Sequence, residues 1–402
     1  MAKLTSRERL MCAMRGGMPD RVPVAPDMSN MIPCKLTGKP FWDIYYYNNP
    51  PLWEAYLNAA RTYGIDGWFT YGQLDYKYPI NVDERCEIIS KTKEKIVVRN
   101  TYETPKGELS KVTVYPWDNP PTIIEKLIKN FKDDFSKFIY LMQAPVDYDD
   151  ETLIQQKKAL GEDGIMCINV PAPGFHTLVD YFDGGLEALT YALYDYPDMF
   201  NELIDLFHKR SVKECEMALD AGTDSILTGG SGSITLSSPE LWYKFSLPTI
   251  KKVTRMCREA GVISGIHSCG LEMYMVEVCA KETELDYINP LEIPPMGDCT
   301  LKTAREKAGD RLCLMGNLNT TEIMLYGTPN RVKLESLRAL LDAGQKGAFV
   351  LSTGDQCGRD TPEENLLAMV NTAEEFGKYP LDVVSIEKEI KRLEEELHNI
   401  GQ

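Results

Sequence analysis

The chain has 402 residues, a formal charge of −16, and a composition that is 43% hydrophobic and 26% charged. That apolar share suits an ordinary globular core, no run of about 18 apolar residues offers a transmembrane helix, and the acidic balance argues against nucleic acid or anionic membrane as a partner. The eleven cysteines follow a start, Met1 to Arg9, that lacks the apolar core of a signal peptide, so reduced thiols and a cytoplasmic location are expected.

Thr5 to Arg15 reads as a capped amphipathic helix, followed by a short strand within Asp20 to Asp27. Asn58 to Tyr63 continues a helix that feeds a second strand, Asp66 to Tyr71. Between Cys86 and Tyr115 three β-rich runs are separated by Lys93-Glu94 and Pro105-Lys106-Gly107, which predicts an antiparallel meander inserted into the main fold at 86–115. Strands then recur at Ile165–Val170, Ser225–Thr228, Val262–Ile266, Tyr287–Asn289, Leu312–Met315 and Phe349–Leu351. Helical stretches such as Pro197–Ala221, Pro239–Ala260, Leu271–Lys281 and Pro329–Ala343 lie between them. Eight strand-then-helix units predict an α/β fold of the (β/α)8 TIM-barrel type, a single domain over 1–402 with an N-terminal helical segment at 1–18. The tail, 386–402, spaces Ile386, Ile390, Leu393 and Leu397 as one helix face, to pack on the barrel exterior or form a homodimer contact.

Unusual polar residues fall at the predicted strand ends: Asp27, Tyr71, Asn169, His267, Cys269, Glu292, Asn317 and Cys357. In barrel enzymes the chemistry occupies those ends. His267 and Cys269 are two apart on an extended chain and so point the same way. With a third ligand from another strand end, such as Cys357, they would leave a fourth tetrahedral position open, as in catalytic zinc sites. Spacing alone also allows the two cysteines to be small buried hydrophobes. His176 follows a strand end in Pro171-Ala-Pro-Gly-Phe-His and is a candidate proton donor. The aromatic-rich first seventy-odd residues, including Phe41-Trp42, Tyr45-Tyr46-Tyr47, Trp53 and Trp68-Phe69, either line a ring-shaped slot or fill the core.

Several words along the chain carry a resemblance. They are Thr5-Ser6-Arg7-Glu8-Arg9, Pro19-Asp20-Arg21-Val22-Pro23-Val24, Leu236-Ser-Ser-Pro239, Met315-Gly316-Asn317-Leu318, Gly327-Thr328-Pro329 and Asp360-Thr361-Pro362-Glu363-Glu364-Asn365. Together with His267-x-Cys269 and a distant Cys357, the chain resembles the uroporphyrinogen decarboxylase superfamily and, within it, the zinc-dependent corrinoid methyltransferases. The resemblance implies a Zn2+ ion on His267, Cys269 and Cys357, with Glu292 as a displaceable fourth ligand. It also implies a small methylated substrate and a corrinoid (cobalamin) on a partner protein, because no Asp-x-His-x-x-Gly word occurs here. Asp27, Tyr71, Asn169 and Asn317 are expected to line the substrate pocket, and Glu292 and His176 to assist the chemistry. A methoxylated aromatic ether is the favoured substrate. Methylcobamide:thiol methyl transfer is the alternative, and porphyrinogen decarboxylation a further one. The last is disfavoured because Asp27 to Cys34 holds no arginine to clamp propionates.

Overall fold

The computed structural model describes residues 3–28 and 30–400. Its centre is a seven-stranded parallel sheet of β1 (Gly67–Gly72), β8 (Gly164–Asn169), β9 (Ser225–Gly229), β10 (Ile263–His267), β11 (Tyr287–Asn289), β12 (Cys313–Leu318) and β13 (Phe349–Thr353), hydrogen-bonded in that order. The intervening β2 (Asp75–Lys77) and β7 (Asp147–Asp149) form a two-stranded ribbon, and β3 (Asp83–Lys91), β4 (Lys95–Thr104), β5 (Gly107–Pro116) and β6 (Thr122–Glu125) a four-stranded antiparallel sheet. The central strands are buried on both faces, as strands of an α/β sheet covered by helices must be.

The parallel sheet is curled. Trp68 on β1 donates its indole N–H to the Tyr287 hydroxyl on β11 at 3.0 Å, although three strands separate β1 from β11 in the sheet. These two side chains join Ile165, Leu227, Ile263, Cys313, Met315 and Val350 in one buried cluster on the concave side. Gly265 makes room for it, since a Cβ there would lie 2.1 Å from the Tyr287 ring. The larger core, between sheet and helices, occupies the convex side.

The strand expected within 20–27 is reduced to a bridge. Val24 pairs with Leu351 of β13, Leu351 donates its N–H to Pro23 and accepts one from Ala25, and Asp66 donates to Val24. Pro23 and Pro26 have no N–H to give a ladder, which limits how far this segment can pair. The inserted meander is longer than 86–115 and gains a fourth strand, because Asp83 to Cys86 and Thr122 to Glu125 extend the pairing with exposed residues that carry no alternating pattern. An aromatic core, with Phe131, Phe135, Phe138, Phe175, Phe182 and Phe200, ties the insertion to the main body.

The first helix is Ser6–Met14 with a capping box between Thr5 and Glu8. The long helix expected over 239–260 is two, Pro239–Phe245 and Leu247–Ala260, interrupted at Ser246 before Pro248, whose missing N–H and ring prevent continuous winding. The tail helix runs Val383–Ile400, with residues 401 and 402 outside the described range. It buries Ile386 and Leu393 in the main core and pairs Lys333 with Glu389 and Arg338 with Glu394 on the helix Pro329–Ala339.

Candidate metal centre

The C-terminal ends of β9, β10 and β13 deliver the centre. His267 is the last residue of β10, and Ser268 keeps the chain extended by donating its N–H to Asn289 at 2.9 Å. Cys269 therefore returns to the side on which His267 projects. The two side chains meet, with His267 Nε2 3.5 Å from Cys269 Sγ and 3.2 Å from the Ser231 hydroxyl. The loop after β9 clasps this segment from one side, Gly230 donating to His267 O at 2.8 Å and Gly232 to Cys269 O at 3.2 Å. Gly270 has φ +86°, and a Cβ there would strike Thr235 Oγ1 at 2.1 Å, so this turn admits only glycine.

A third group arrives from β13. Asp355 follows Gly354 at the strand's end, and one of its carboxylate oxygens, the Cys269 sulfur and a His267 ring nitrogen all lie within 4.8 Å of one another. Nitrogen, thiol and carboxylate converging at half-buried positions form a donor set that fits a divalent transition metal such as zinc. Without a cation the Cys269 thiol is held protonated, first by burial and then by the adjacent Asp355 charge. Glu292 is buried beside this group. Its Oε2 accepts the Gly270 N–H at 2.5 Å, while burial and the Asp355 charge raise its pKa. Behind it, fully buried Glu272 accepts the backbone N–H groups of Leu291 at 2.6 Å and Glu292 at 3.3 Å, fixing the loop that carries Glu292.

All but one of the expected site residues fall into three groups. His267, Cys269 and Glu292 stand around the centre, and His176 and Asn169 line a cleft of about 420 Å³ that shares His267 and Ser231 with it. The His176 imidazole is buried, and burial lowers its pKa to about 4 against the opposing pull of the Gly229 and Ala172 backbone. Gly174 and Gly230 leave it space, for a Cβ on either would come within 2.7 Å of the ring. Asn169 is exposed and donates to Thr70 O at 3.0 Å.

Asp27, Tyr71 and Cys357 form a second group, whose thiol also feels the Asp355 charge. Cys357 donates its backbone N–H to Asp27 O at 2.8 Å, its thiol is fully buried, and burial with the Asp27 charge pushes its pKa up to about 12. The Asp27 charge also acts on the Tyr71 hydroxyl, already raised by burial, whose ring packs against Tyr56 and Phe69. The donor atoms that converge within 4.8 Å are those of His267, Cys269 and Asp355, and Cys357 follows Asp355 by two residues in the same loop, its thiol within range of the Asp355 charge. Asn317 is a separate matter, buried and donating to Leu291 O at 3.0 Å. Of the early aromatics, Phe41, Trp68 and Phe69 are core residues. Sequence reasoning missed Asp355 and Ser231. The available signal was position, since Asp355 lies two residues nearer the end of β13 than Cys357 does.

A curled parallel sheet with nitrogen, sulfur and carboxylate donors at its strand ends defines an α/β protein with a candidate metal centre. Residues 172–376, just over half of the chain, match the family model described as uroporphyrinogen decarboxylase (URO-D), and the chain belongs to that family. It is 27% identical over 229 residues to a uroporphyrinogen decarboxylase of Chlorobaculum tepidum, covering 52% of this chain and 61% of that one. It is 24% identical over 258 residues to the methylcobamide:CoM methyltransferase MtbA of Methanosarcina acetivorans, covering 64% of this chain and 72% of that one. A solved methyltransferase from Methanosarcina mazei shares the fold, with a TM-score of 0.62 and 18% identity over 93% of this chain and 99% of that one. The chain spans about 61% of the length of the curated decarboxylase from Chlorobaculum tepidum.

Proposed function

We propose that the chain is a zinc-dependent methyltransferase, moving a methyl group between a small methylated substrate and the cobalt of a corrinoid carried by a separate protein. The convergence of His267, Cys269 and Asp355 at the strand ends carries this reading, beside relatives named methylcobamide:CoM methyltransferases. The sheet is read as a (β/α)8 barrel, with Val24 and its neighbours bridging β13 to the start of β1 as the eighth element.

Zinc held at this centre would supply Lewis acidity to the heteroatom that gains charge as the methyl group leaves. His267 and Cys269 would hold it, with a third ligand from the loop after β13, and Glu292 stands within reach of the same charges. His176 presents a neutral imidazole at the cleft wall, where its N–H is a hydrogen-bond donor to a leaving oxygen. Asn169, anchored on Thr70, offers its amide oxygen to the same space. A cleft of about 420 Å³ accommodates a single substituted ring, which favours a methoxylated aromatic ether.

The decarboxylase reading is weaker here. Among the described residues lining the cleft there is no lysine or arginine, and Asp180 stands there instead. A porphyrinogen with many carboxylates would meet no counter-charge. Thiol methylation is the second reading, favoured by the MtbA relatives. Elemental analysis of the purified protein is expected to give one zinc per chain, lost in Cys269→Ser together with methyl transfer. Supplied with a Co(I) corrinoid protein, methoxyarenes should be demethylated; transfer only from methyl-Co(III) to thiols would support the second reading instead. Full methyl transfer by Cys269→Ser would refute the metal mechanism.

A further inference from the structure

We propose that the cavity between the inserted sheet and the main body is a second binding site, beside the cleft of the metal centre, and that its ligand is a small aromatic carboxylate. Binding there goes beyond the transfer reading and does not depend on it.

The cavity has a volume of about 340 Å³. The insertion contributes Tyr102 from β4 and Lys111 from β5, and the body contributes Tyr78, Tyr140, Tyr181 and Arg210. In a chain of formal charge −16, this lining holds two cations and no acid. Arg210 donates from Nε to Glu214 at 2.6 Å, from Nη1 to Leu141 O at 2.8 Å and from Nη2 to the Tyr78 hydroxyl at 3.4 Å. Buried Glu214 matches its charge, yet a guanidinium carries five N–H groups, and these bonds leave two for a ligand. Lys111 has no such counter-charge. Among the described residues its ammonium forms no ion pair or hydrogen bond and stands 5.7 Å from the Tyr102 ring. Glu84, across from Tyr102 on β3, is taken by the Asn100 amide at 2.6 Å.

The walls are held in place before any ligand arrives. Gln143 donates to Ile80 O at 3.0 Å and to Tyr140 O at 2.6 Å and accepts the Ile80 N–H at 3.1 Å, tying two rim loops together. Leu109 and Leu127 carry the inserted sheet into the aromatic core.

One uncompensated ammonium matches one negative charge, not the several of a porphyrinogen. A carboxylate accepts from both an ammonium and a guanidinium, and the tyrosine faces take an aromatic ring. Tyr181 lines this cavity and the cleft alike, so the ligand lies next to the transfer site. Two sources share this chemistry, the acid end of a methylated substrate and a separate aromatic acid.

The test titrates the full chain with benzoate and with uncharged benzamide by calorimetry, as wild type, Lys111→Met and Lys111→Arg, with circular dichroism as the control for folding. Benzoate should bind and benzamide should bind about tenfold more weakly or not at all. Lys111→Met should lose about the same factor for benzoate alone, and Lys111→Arg should restore it. Equal affinity for benzoate and benzamide, undiminished benzoate binding in Lys111→Met, or no binding by the folded wild type at millimolar benzoate would overturn the site. Methyl transfer then separates the sources. If the acid belongs to the substrate, Lys111→Met raises KM for 4-methoxybenzoate and not for methoxybenzene. If it is a separate ligand, benzoate binds and both KM values stay as in the wild type. Benzoate binding without any methyl transfer would sink the transfer reading and leave the site standing.

Discussion

At the scale of single residues, His176 and Cys357 show how burial separates chemistry from sequence. His176 is buried and stays neutral well below its ordinary range, its pKa lowered from 6.5 to about 4 by burial that the Gly229 and Ala172 backbone only partly offsets. Its folded pKa is depressed, so as pH falls below 6.5 the unfolded chain takes up a proton before the native one does. The stability it contributes is complete above 6.5 and is lost progressively down to about 4, amounting to about 3 kcal/mol. Urea midpoints measured from pH 7 to 4.5 should therefore fall, and His176→Gln should flatten that fall. The positions of His267, Cys269, Glu292 and His176 at strand ends were legible, because the strands themselves were. That Asp355 also brings its carboxylate to the centre was not, since the course of that loop is set by Thr353 and Asp27, the latter 328 residues from Asp355 in the chain. No local pattern encodes such a contact.

At the scale of elements, apolar runs ending in glycine or polar residues placed all seven sheet strands within a few residues of their observed limits. The failures have a common source in polar or proline-bearing backbone. Pro23 and Pro26 reduce the first strand to a bridge, and exposed β3 and β6 carry no hydrophobic period to announce their length. The N-terminal helix was legible for the opposite reason, since Thr5 and Glu8 state its start chemically. Thr5 caps Glu8 N–H at 3.1 Å and also donates to Glu162 at 2.9 Å. Thr5→Ala should lower stability by about 1 kcal/mol, read as a shifted urea midpoint, with zinc content and methyl transfer unchanged.

Across the whole molecule the two ends of the sheet do different work. The strand N-termini are fastened by ions: Arg9 and Arg21 both bind buried Asp66 just before β1, Arg9 also grips Asp20, and Arg7 holds Asp224 just before β9. Burial alone would raise Asp20, but the Arg9 hydrogen bond and the Leu4 N–H outweigh it and hold its carboxyl at about 2. The stability from this group is present above the ordinary carboxylate range and vanishes as pH drops toward 2, a second acid phase below that of His176. Asp66→Ala, which also strands the Val24 N–H, should cost about 3–5 kcal/mol in thermal or urea unfolding. The Arg9 and Asp20-Arg21 words of the family resemblance are therefore structural fasteners, remote from the centre at the opposite strand ends. That centre has a further property. Cys269 has Ser231, His267 and Asp355 around it, and all eleven cysteines are free. Cys269 is half-buried where Cys357 is fully buried, so it is the more open of the two sulfurs to oxidation, and a sulfenic acid formed there is a step that thiols reverse. A brief exposure to air would then cost such an enzyme its metal but not its fold, and reductant with fresh zinc would restore it.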